Sequence, residues 1–442
     1  MSGIAMLNAS FGAAAPAVLV MNLDATVGAM PGSNITTSAS FNGTTQYLTL
    51  PASTDWALGT GDFTIEWWQY MSATQNSFPR IFSVGSSGSG GASIAVSIEG
   101  GTFYFWENGN FTFSSVLSSY STTWVHFAIS RVSGQTSVYQ NGTKLGSTFS
   151  DTNNIANSSS TLAIGTESTP TADTYYTGYI SNFRIIKGTG IYTANFVAPT
   201  TTLRAVSGTV ALLPLAAAPF MDMSTNLYTI TNYGTTTTTA SAPTLASATT
   251  DFTGTYTITT TNAGATIVYN SANGGVFRKT TSSGTDSMVL GPNYVTGQSY
   301  SVFMAYKISA TSAGRLLNTQ SEASKDWLLG AYNGNPNAFY PNYSVNLPSS
   351  GADTVWHFAW GTFNNGTKLG QLYTATSAQP TGTSFAVTNS GGGGFNQLRL
   401  FSRAGGFEVQ TADIGMIRVY NGVVTLAQVQ SQYAAFKTRF GY

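Results

Sequence analysis

Apolar and polar residues alternate in short runs along most of the chain, and Gly, Asn, Ser and Pro bound the runs. A period of two marks strands with one buried face and one open face. Phe63-Thr64-Ile65-Glu66-Trp67-Trp68-Gln69-Tyr70, Val125-His126-Phe127-Ala128-Ile129 and the stretch from Tyr179 to Ile186 are predicted strands of this kind. Val18 to Leu23 reads as an opening strand. Trp67 and Trp68 are neighbours on a strand, so they face opposite ways and one belongs to the core. Helical spacing shows once, at the end. Thr425 and Gln428 form a Thr-x-x-Gln capping box, and Leu426, Val429, Tyr433 and Phe436 follow at helical intervals.

Several of these landmarks return in order about 230 residues later, the sign of an internal repeat. Arg80-Ile81-Phe82-Ser83 matches Arg315-Leu316-Leu317-Asn318, and His126-Phe127-Ala128 matches His357-Phe358-Ala359. Gly134 and Tyr139 match Gly366 and Tyr373, and Ile180-Ser181-Asn182-Phe183-Arg184-Ile185 matches Ile414-Gly415-Met416-Ile417-Arg418-Val419. One further match is out of register: Asn141 to Gly146 is identical to Asn365 to Gly370. It reads as shared turn chemistry rather than as part of the repeat. The repeat predicts an all-β chain of two tandem antiparallel β-sandwiches, residues 1–245 and 246–442, with a short C-terminal helix. The Thr-, Ala- and Ser-rich stretch from Gly234 to Thr250 reads as the linker.

Charge changes the picture most. Only 8% of residues are Asp, Glu, Lys or Arg and the formal net charge is zero, against roughly 25% charged in ordinary soluble domains. No Lys/Arg cluster exists to neutralise phosphates, which excludes nucleic acid as a partner. A neutral Ser/Thr/Gly surface lacks self-repulsion and suits a subunit of an assembly, including a homo-oligomer. The absence of cysteine removes disulfides, thiolate metal sites and Cys nucleophiles. No apolar run is long enough for a spanning helix, so membrane insertion is not expected. Ala13 to Met21 imitates a signal-peptide core, but the first basic residue is Arg80, so an export signal is not expected either.

The run Phe41-Asn42-Gly43-Thr44-Thr45-Gln46-Tyr47-Leu48 resembles the opening of laminin-G-like domains of the concanavalin A-like lectin/glucanase fold. So do Gly61-Asp62-Phe63-Thr64-Ile65-Glu66-Trp67-Trp68, Trp124-Val125-His126-Phe127-Ala128, Val138-Tyr139-Gln140-Asn141-Gly142 and Gly178 to Ile185, all in the family's order. Lys187 to Phe196 is similar to a closing motif of tailed-phage versions of the domain, and Ser207 to Asn226 continues the likeness. The second half departs more, lacking an Asn-Gly turn after Tyr373. The resemblance implies concanavalin A-like jelly rolls and a phage structural protein.

The enzymes of this fold carry a Glu-x-Asp-x-x-Glu arrangement on one strand, and nothing here matches it. Asp62 and Glu66 come nearest, yet four residues of strand place them about 13 Å apart, too far to cooperate in glycoside hydrolysis. His126 and His357 read as positions shared by ancestry rather than as bases or ligands. No cofactor is expected; the one metal to weigh is calcium, for which Asp151 with Glu167 or Asp173 are the available oxygen donors. Sugar binding needs no charge, only aromatic faces with amides and hydroxyls beside them. Trp106 and Asn108, Tyr175 and Tyr176, and Tyr340 and Tyr343 are the candidate glycan-binding residues. The expected function is a non-enzymatic phage virion surface protein, a capsid decoration, fibre or tail appendage. It would be made in the host cytoplasm, dock to other virion proteins and also contact host glycans. The alternative is a cellular carbohydrate-binding module.

Overall fold

The computed structural model describes residues 17–24, 34–85, 93–156, 159–245, 248, 251–255, 257–261, 267–270, 276–281, 287–291, 299–309, 314–319, 327–332, 335–341, 354–375, 380–387, 398–402 and 408–440. Their strands form four antiparallel sheets. Sheet I has the order Thr143–Ser150, Gln135–Gln140, Trp124–Val132, Phe63–Met71, Thr177–Lys187, Ser38–Asn42, Thr237–Thr239. Sheet II runs Thr231–Tyr233, Tyr47–Leu50, Leu162–Ile164, Arg80–Val84, Ile94–Glu99, Thr102–Glu107, Asn110–Val116. The alternation read from the sequence sorts the faces. Phe63, Ile65, Trp67 and Met71 enter the core shared with sheet II, where Trp67 meets Phe82 at 5.5 Å and Phe127 at 5.7 Å. Trp68 lies on the opposite face, half-buried.

Sheet III has the order Ile267–Asn270, Val276–Lys279, Ala412–Asn421, Tyr300–Ile308, Trp356–Asn364, Leu369–Ala375, Thr381–Ala386. Sheet IV runs Thr257–Thr261, Ser287–Gly291, Leu398–Leu400, Leu317–Thr319, Leu328–Tyr332, Asn335–Tyr340. Together they enclose a second core around Tyr300, Met304, Trp327 and Phe339. The helix Leu426–Phe440 starts at the predicted box: Gln428 N donates to Thr425 Oγ1 (3.3 Å) and Thr425 N to Gln428 Oε1 (2.8 Å). Its apolar stripe then covers the outer face of sheet III, with Phe436 on Phe303 (4.8 Å) and Tyr433 on Phe358 (5.1 Å).

Strand pairing tests the repeat residue by residue. Glu66 lies between Ala128 and Arg184, and Phe303 lies between Trp360 and Arg418. Arg184 and Arg418 are therefore equivalent, as are Tyr139 and Tyr373, which pair with Ala128 and Trp360. The out-of-register match is turn chemistry: Asn141-Gly142 closes the hairpin after Gln140, whereas Asn365-Gly366 closes the preceding one, between Asn364 and Leu369.

The histidine match needs correcting. The counterpart of His126 is Phe358, because His126 lies two residues before Ala128 and Phe358 two before Trp360. His357 is one place off and faces the inner core, stacked on Tyr306 at 5.5 Å. On a strand a single-residue shift reverses the face.

Two boundaries also differ from expectation. Val18–Asp24 pairs antiparallel with Met416–Asn421, so this strand of the first segment completes a sheet of the second sandwich. The edge it covers is shared with Val276–Lys279, which pairs with Ala412–Ile414. In the first sandwich the same two seats on Thr177–Lys187 are filled by Ser38–Asn42 and Thr209–Leu213. The predicted linker, too, is partly sheet: Thr237–Thr239 is the edge strand beside Ser38–Asn42, and Leu245 is buried.

Candidate binding surface

The outer face of sheet I differs from that of sheet III at the equivalent positions. Where the second sandwich has Phe303 and Phe358 under its helix, the first has Glu66 and His126, both fully buried. The cover here is the closing segment after Lys187. Tyr192 and Phe196 stack at 3.7 Å, and Phe196 meets His126 at 5.9 Å. Phe196 N donates to Gly142 O (2.9 Å), and a Cβ at Gly142 would lie 1.9 Å from Phe196 O. With φ at +78°, that turn requires glycine on both counts.

Glu66 receives three neighbours in this closed layer. Arg184 donates through Nε (2.9 Å) and Nη2 to Oε1, while Tyr192 donates its hydroxyl (2.8 Å) to Oε2. His126 Nε2 lies 3.3 Å from the same Oε2. Burial alone would raise the Glu66 carboxyl, but the Arg184 charge and then the His126 contact hold it at about 2. At neutral pH it is an ionised carboxylate, fully buried and with both oxygens engaged. A general acid must carry a proton near neutral pH and reach its substrate, so this cluster is a structural ion network, not a hydrolytic site.

The exposed chemistry lies at one end of the same sandwich. The segments carrying it are the turn after Asn42, the loop after Met71, the start of Trp124–Val132 and the approach to Thr177–Lys187. Tyr47 and Tyr233 stack face to face at 4.3 Å and 2°, and Tyr175 meets Tyr47 edge-on at 6.0 Å. Tyr233 is 42% exposed. Amides hold the platform: Asn76 Nδ2 donates to Gly43 O (2.7 Å) and Tyr175 O (2.8 Å), and Gln46 Nε2 to Thr235 O (3.2 Å). Asn42 Oδ1 accepts from the backbone of Thr44, Thr45 and Gln46. Burial and the neighbouring Tyr233 and Tyr175 raise the Tyr47 hydroxyl above its ordinary pKa, so it stays a neutral donor. A second half-buried trio, Tyr70, Trp124 and Tyr179, sits on the outer face of sheet I with ring separations of 5.2–6.4 Å. Trp124 Nε1 donates to Ser241 Oγ (3.3 Å).

The sequence-derived candidates do not form one site. Tyr175 belongs to the rim platform. Tyr176, its neighbour, is fully buried against Phe41 and is not a glycan contact, because adjacent residues of an extended chain point to opposite faces. Trp106 and Asn108 lie at the far side of sheet II. There Trp106 is half-buried beneath the Arg80 guanidinium (5.2 Å) and donates to Ser97 Oγ (3.1 Å). Asn108 is exposed in the turn to Asn110–Val116. Tyr340 ends an edge strand of sheet IV, edge-on to Tyr332 at 6.0 Å. Tyr343 lies outside the described residues. Sequence reasoning missed Tyr47, inside the opening motif, and Tyr233, which ends the short strand Thr231–Tyr233 just before the presumed linker.

Asp151, a candidate calcium donor, is committed elsewhere: it faces Arg131 (3.4 Å) and accepts from Thr136 (2.7 Å). Among the described residues no group of three His, Asp or Glu side chains gathers as a metal would need. Beside this pair, burial pushes the Glu107 carboxyl up to about 7, against the hydrogen bond from Asn153 and with help from the Asp151 charge. The folded protein thus keeps a proton that the unfolded chain releases near 4.5. The resulting stability is full below that value and is lost as pH rises towards 7. Glu107→Gln should abolish this decline and stabilise the first sandwich at pH 8 by roughly 3 kcal/mol. Urea unfolding across pH 4.5 to 8 checks it, and an unchanged slope in the variant would refute the assignment.

Residues 42–189 match the family model of the concanavalin A-like lectin/glucanases superfamily, of the laminin-G type. No curated protein matches the chain. Among solved structures, a protein of Bacteroides ovatus ATCC 8483 is 14% identical with a TM-score of 0.39, the match covering 48% of this chain and 62% of that one. The heptameric SAP-like pentraxin of Limulus polyphemus is 18% identical (TM-score 0.32), covering 45% and 94%. Domains LG4-5 of the mouse laminin alpha1 chain are 11% identical (TM-score 0.27), covering 88% and 89%. At such identities and scores the likeness says nothing of ligand or partner.

Proposed function

We propose that this protein is a non-catalytic glycan-binding module whose first sandwich contacts sugar through the Tyr47–Tyr175–Tyr233 rim. The observation that carries the reading is the stacked Tyr47–Tyr233 pair, exposed on Tyr233 and set among amide and hydroxyl side chains. Sugar rings stack their C–H faces on such surfaces and take hydrogen bonds from neutral donors around them. The buried and saturated state of Glu66 supports binding without turnover.

A glycan array probed with the full chain is the direct test. Tyr233→Ala should weaken binding to every positive glycan by roughly 3- to 10-fold, the worth of one aromatic contact. Retained affinity in that variant, or an array with no positives, rejects the rim as the site.

A second reading, a virion surface subunit made in the host cytoplasm, is favoured by a different feature. The edge strand Asn110–Val116 of sheet II exposes Phe111 (58%) and Val116 (80%) on a nearly uncharged surface. Exposed apolar edge strands invite docking by other protein chains. Immunoelectron microscopy of purified particles tests this placement; failure to find the chain on particles ends it.

A further inference from the structure

The aromatic trio on the outer face of sheet I belongs to a single row of the strand pairing. Trp124 pairs with Tyr70, Tyr70 with Tyr179, Tyr179 with Ser40, and Ser40 with Thr237. Directly paired residues share a face of the sheet. Three aromatic rings are therefore followed by two hydroxyls, in a line that crosses five neighbouring strands. The rings close into one patch, with centroids 5.2 Å apart for Tyr70 and Tyr179, 6.0 Å for Tyr70 and Trp124, and 6.4 Å for Trp124 and Tyr179. All three are half-buried, so part of each ring meets solvent, and Thr237 is exposed. No residue of the row is charged.

The chain after Thr239 walls the row on the side away from the sandwich end. Ser38 Oγ donates to Ser241 O (2.6 Å) and Trp124 Nε1 to Ser241 Oγ (3.3 Å), and Ala242 packs in one cluster with Trp68. The row is thus a shelf with a floor and one wall. Its hydroxyl end runs into the tyrosine rim: residues 234–236 connect Thr237 to Tyr233 of the stacked pair. Gln46 Nε2 pins that turn through Thr235 O (3.2 Å). Strands of a sheet lie about 4.8 Å apart, so the four steps from Trp124 to Thr237 cover about 19 Å. Each pyranose ring of an extended β-linked chain advances by nearly one such step. A single sugar therefore covers one platform, and only a chain reaches both.

We infer that the ligand is an extended neutral oligosaccharide, running from Tyr233 past Thr237 and Ser40 onto the Tyr179–Tyr70–Trp124 patch. This rests on sugar binding at the rim and extends it. Sugar rings stack on the aromatic groups at either end, and the two hydroxyls between them meet sugar oxygens.

Calorimetric titration of the full chain with cellobiose and cellohexaose, and with the dimer and hexamer of β-1,4-linked N-acetylglucosamine, tests this. In at least one series the hexamer should bind roughly tenfold tighter than the dimer, the worth of a second aromatic contact. Tyr179→Ala should weaken hexamer binding by roughly 3- to 10-fold. Cross-strand aromatic pairs also steady a sheet, so a second variant leaves the patch intact. Thr237→Arg, exposed on an edge strand, sets a long side chain across the path and should cancel the advantage of the hexamer while sparing the dimer. Equal affinity for dimer and hexamer, or an undiminished hexamer advantage in Thr237→Arg, overturns the inference. If Tyr233→Ala still weakens binding in that case, the rim stands as a site for terminal sugars. Absence of binding in both series overturns the inference as well, while the glycan array decides the rim separately.

Discussion

Arg184→Leu should lower the stability of the first sandwich by about 3–5 kcal/mol, the usual cost of removing one partner from a buried ion pair. The variant leaves Glu66 fully buried with only His126 and Tyr192 beside it. In the native protein the carboxyl is held at about 2, so its contribution is complete above the ordinary value of 4.5 and is lost only as pH falls towards 2. Without Arg184 burial dominates and the carboxyl moves upward. The variant's stability should then fall as pH rises through that raised value, a pH dependence of opposite sign. Urea unfolding at pH 5 and pH 8, with Glu107→Gln in both proteins so that Glu107 adds no decline of its own, separates the two cases. The double variant Glu66→Leu/Arg184→Leu should recover most of the loss, because apolar pairs replace buried ion pairs at little cost. The equivalent layer of sheet III, with Phe303 in place of Glu66, shows the fold accepting an apolar residue there. A double variant no more stable than the single would mean that packing, not the lone charge, sets the penalty.

Deleting residues 1–24 should damage the second sandwich, far away in sequence, and spare the first. Val18–Asp24 covers the outer edge of the strand Ala412–Asn421 from Met416 onwards. Leu19 is buried there beside Tyr420 and Val424. Asn22 is fully buried: its N donates to Asp251 (2.9 Å), while its Oδ1 accepts from Arg418 Nε (3.4 Å). Removing the strand exposes Leu19's seat, worth about 1.5–3 kcal/mol, and strips Arg418 and Asp251 of a buried partner, about 1–3 kcal/mol each. Hydrogen exchange of the amides at 416–421 should accelerate by roughly two to three orders of magnitude. Exchange in the strand Phe63–Met71 should not change. A peptide spanning residues 17–24, added in excess, should restore protection by mass action. Unaltered exchange at 416–421 after truncation would show that the strand is ornamental to that sheet.

Several features are legible in the amino-acid sequence. Alternation puts Trp67 and Trp68 on opposite faces, because a strand's side chains have a strict period of two, and the core takes Trp67. The Thr425–Gln428 box places the helix start to the residue, since capping is a local exchange of hydrogen bonds. The Arg184/Arg418 equivalence is legible because both closing strands carry long apolar patterns with one registered cation. The same period explains two failures. His126-Phe127-Ala128 and His357-Phe358-Ala359 are identical triplets one step out of register, and one step reverses the face. Tyr175 and Tyr176 look alike as a pair, yet alternation sends one to the rim and the other into the core.

Near neighbours along the chain settle the strand faces, the helix cap and the neutral, cysteine-free composition. Which distant groups meet is set by how the strands assemble into sheets. Glu66 finds Arg184 across neighbouring strands, Tyr47 finds Tyr233 from the short strand before the presumed linker, and Val18–Asp24 pairs with a strand near the opposite end of the chain. Sheet hydrogen bonds join backbone groups that every residue but proline possesses, so a strand's sequence names its faces but not its partner.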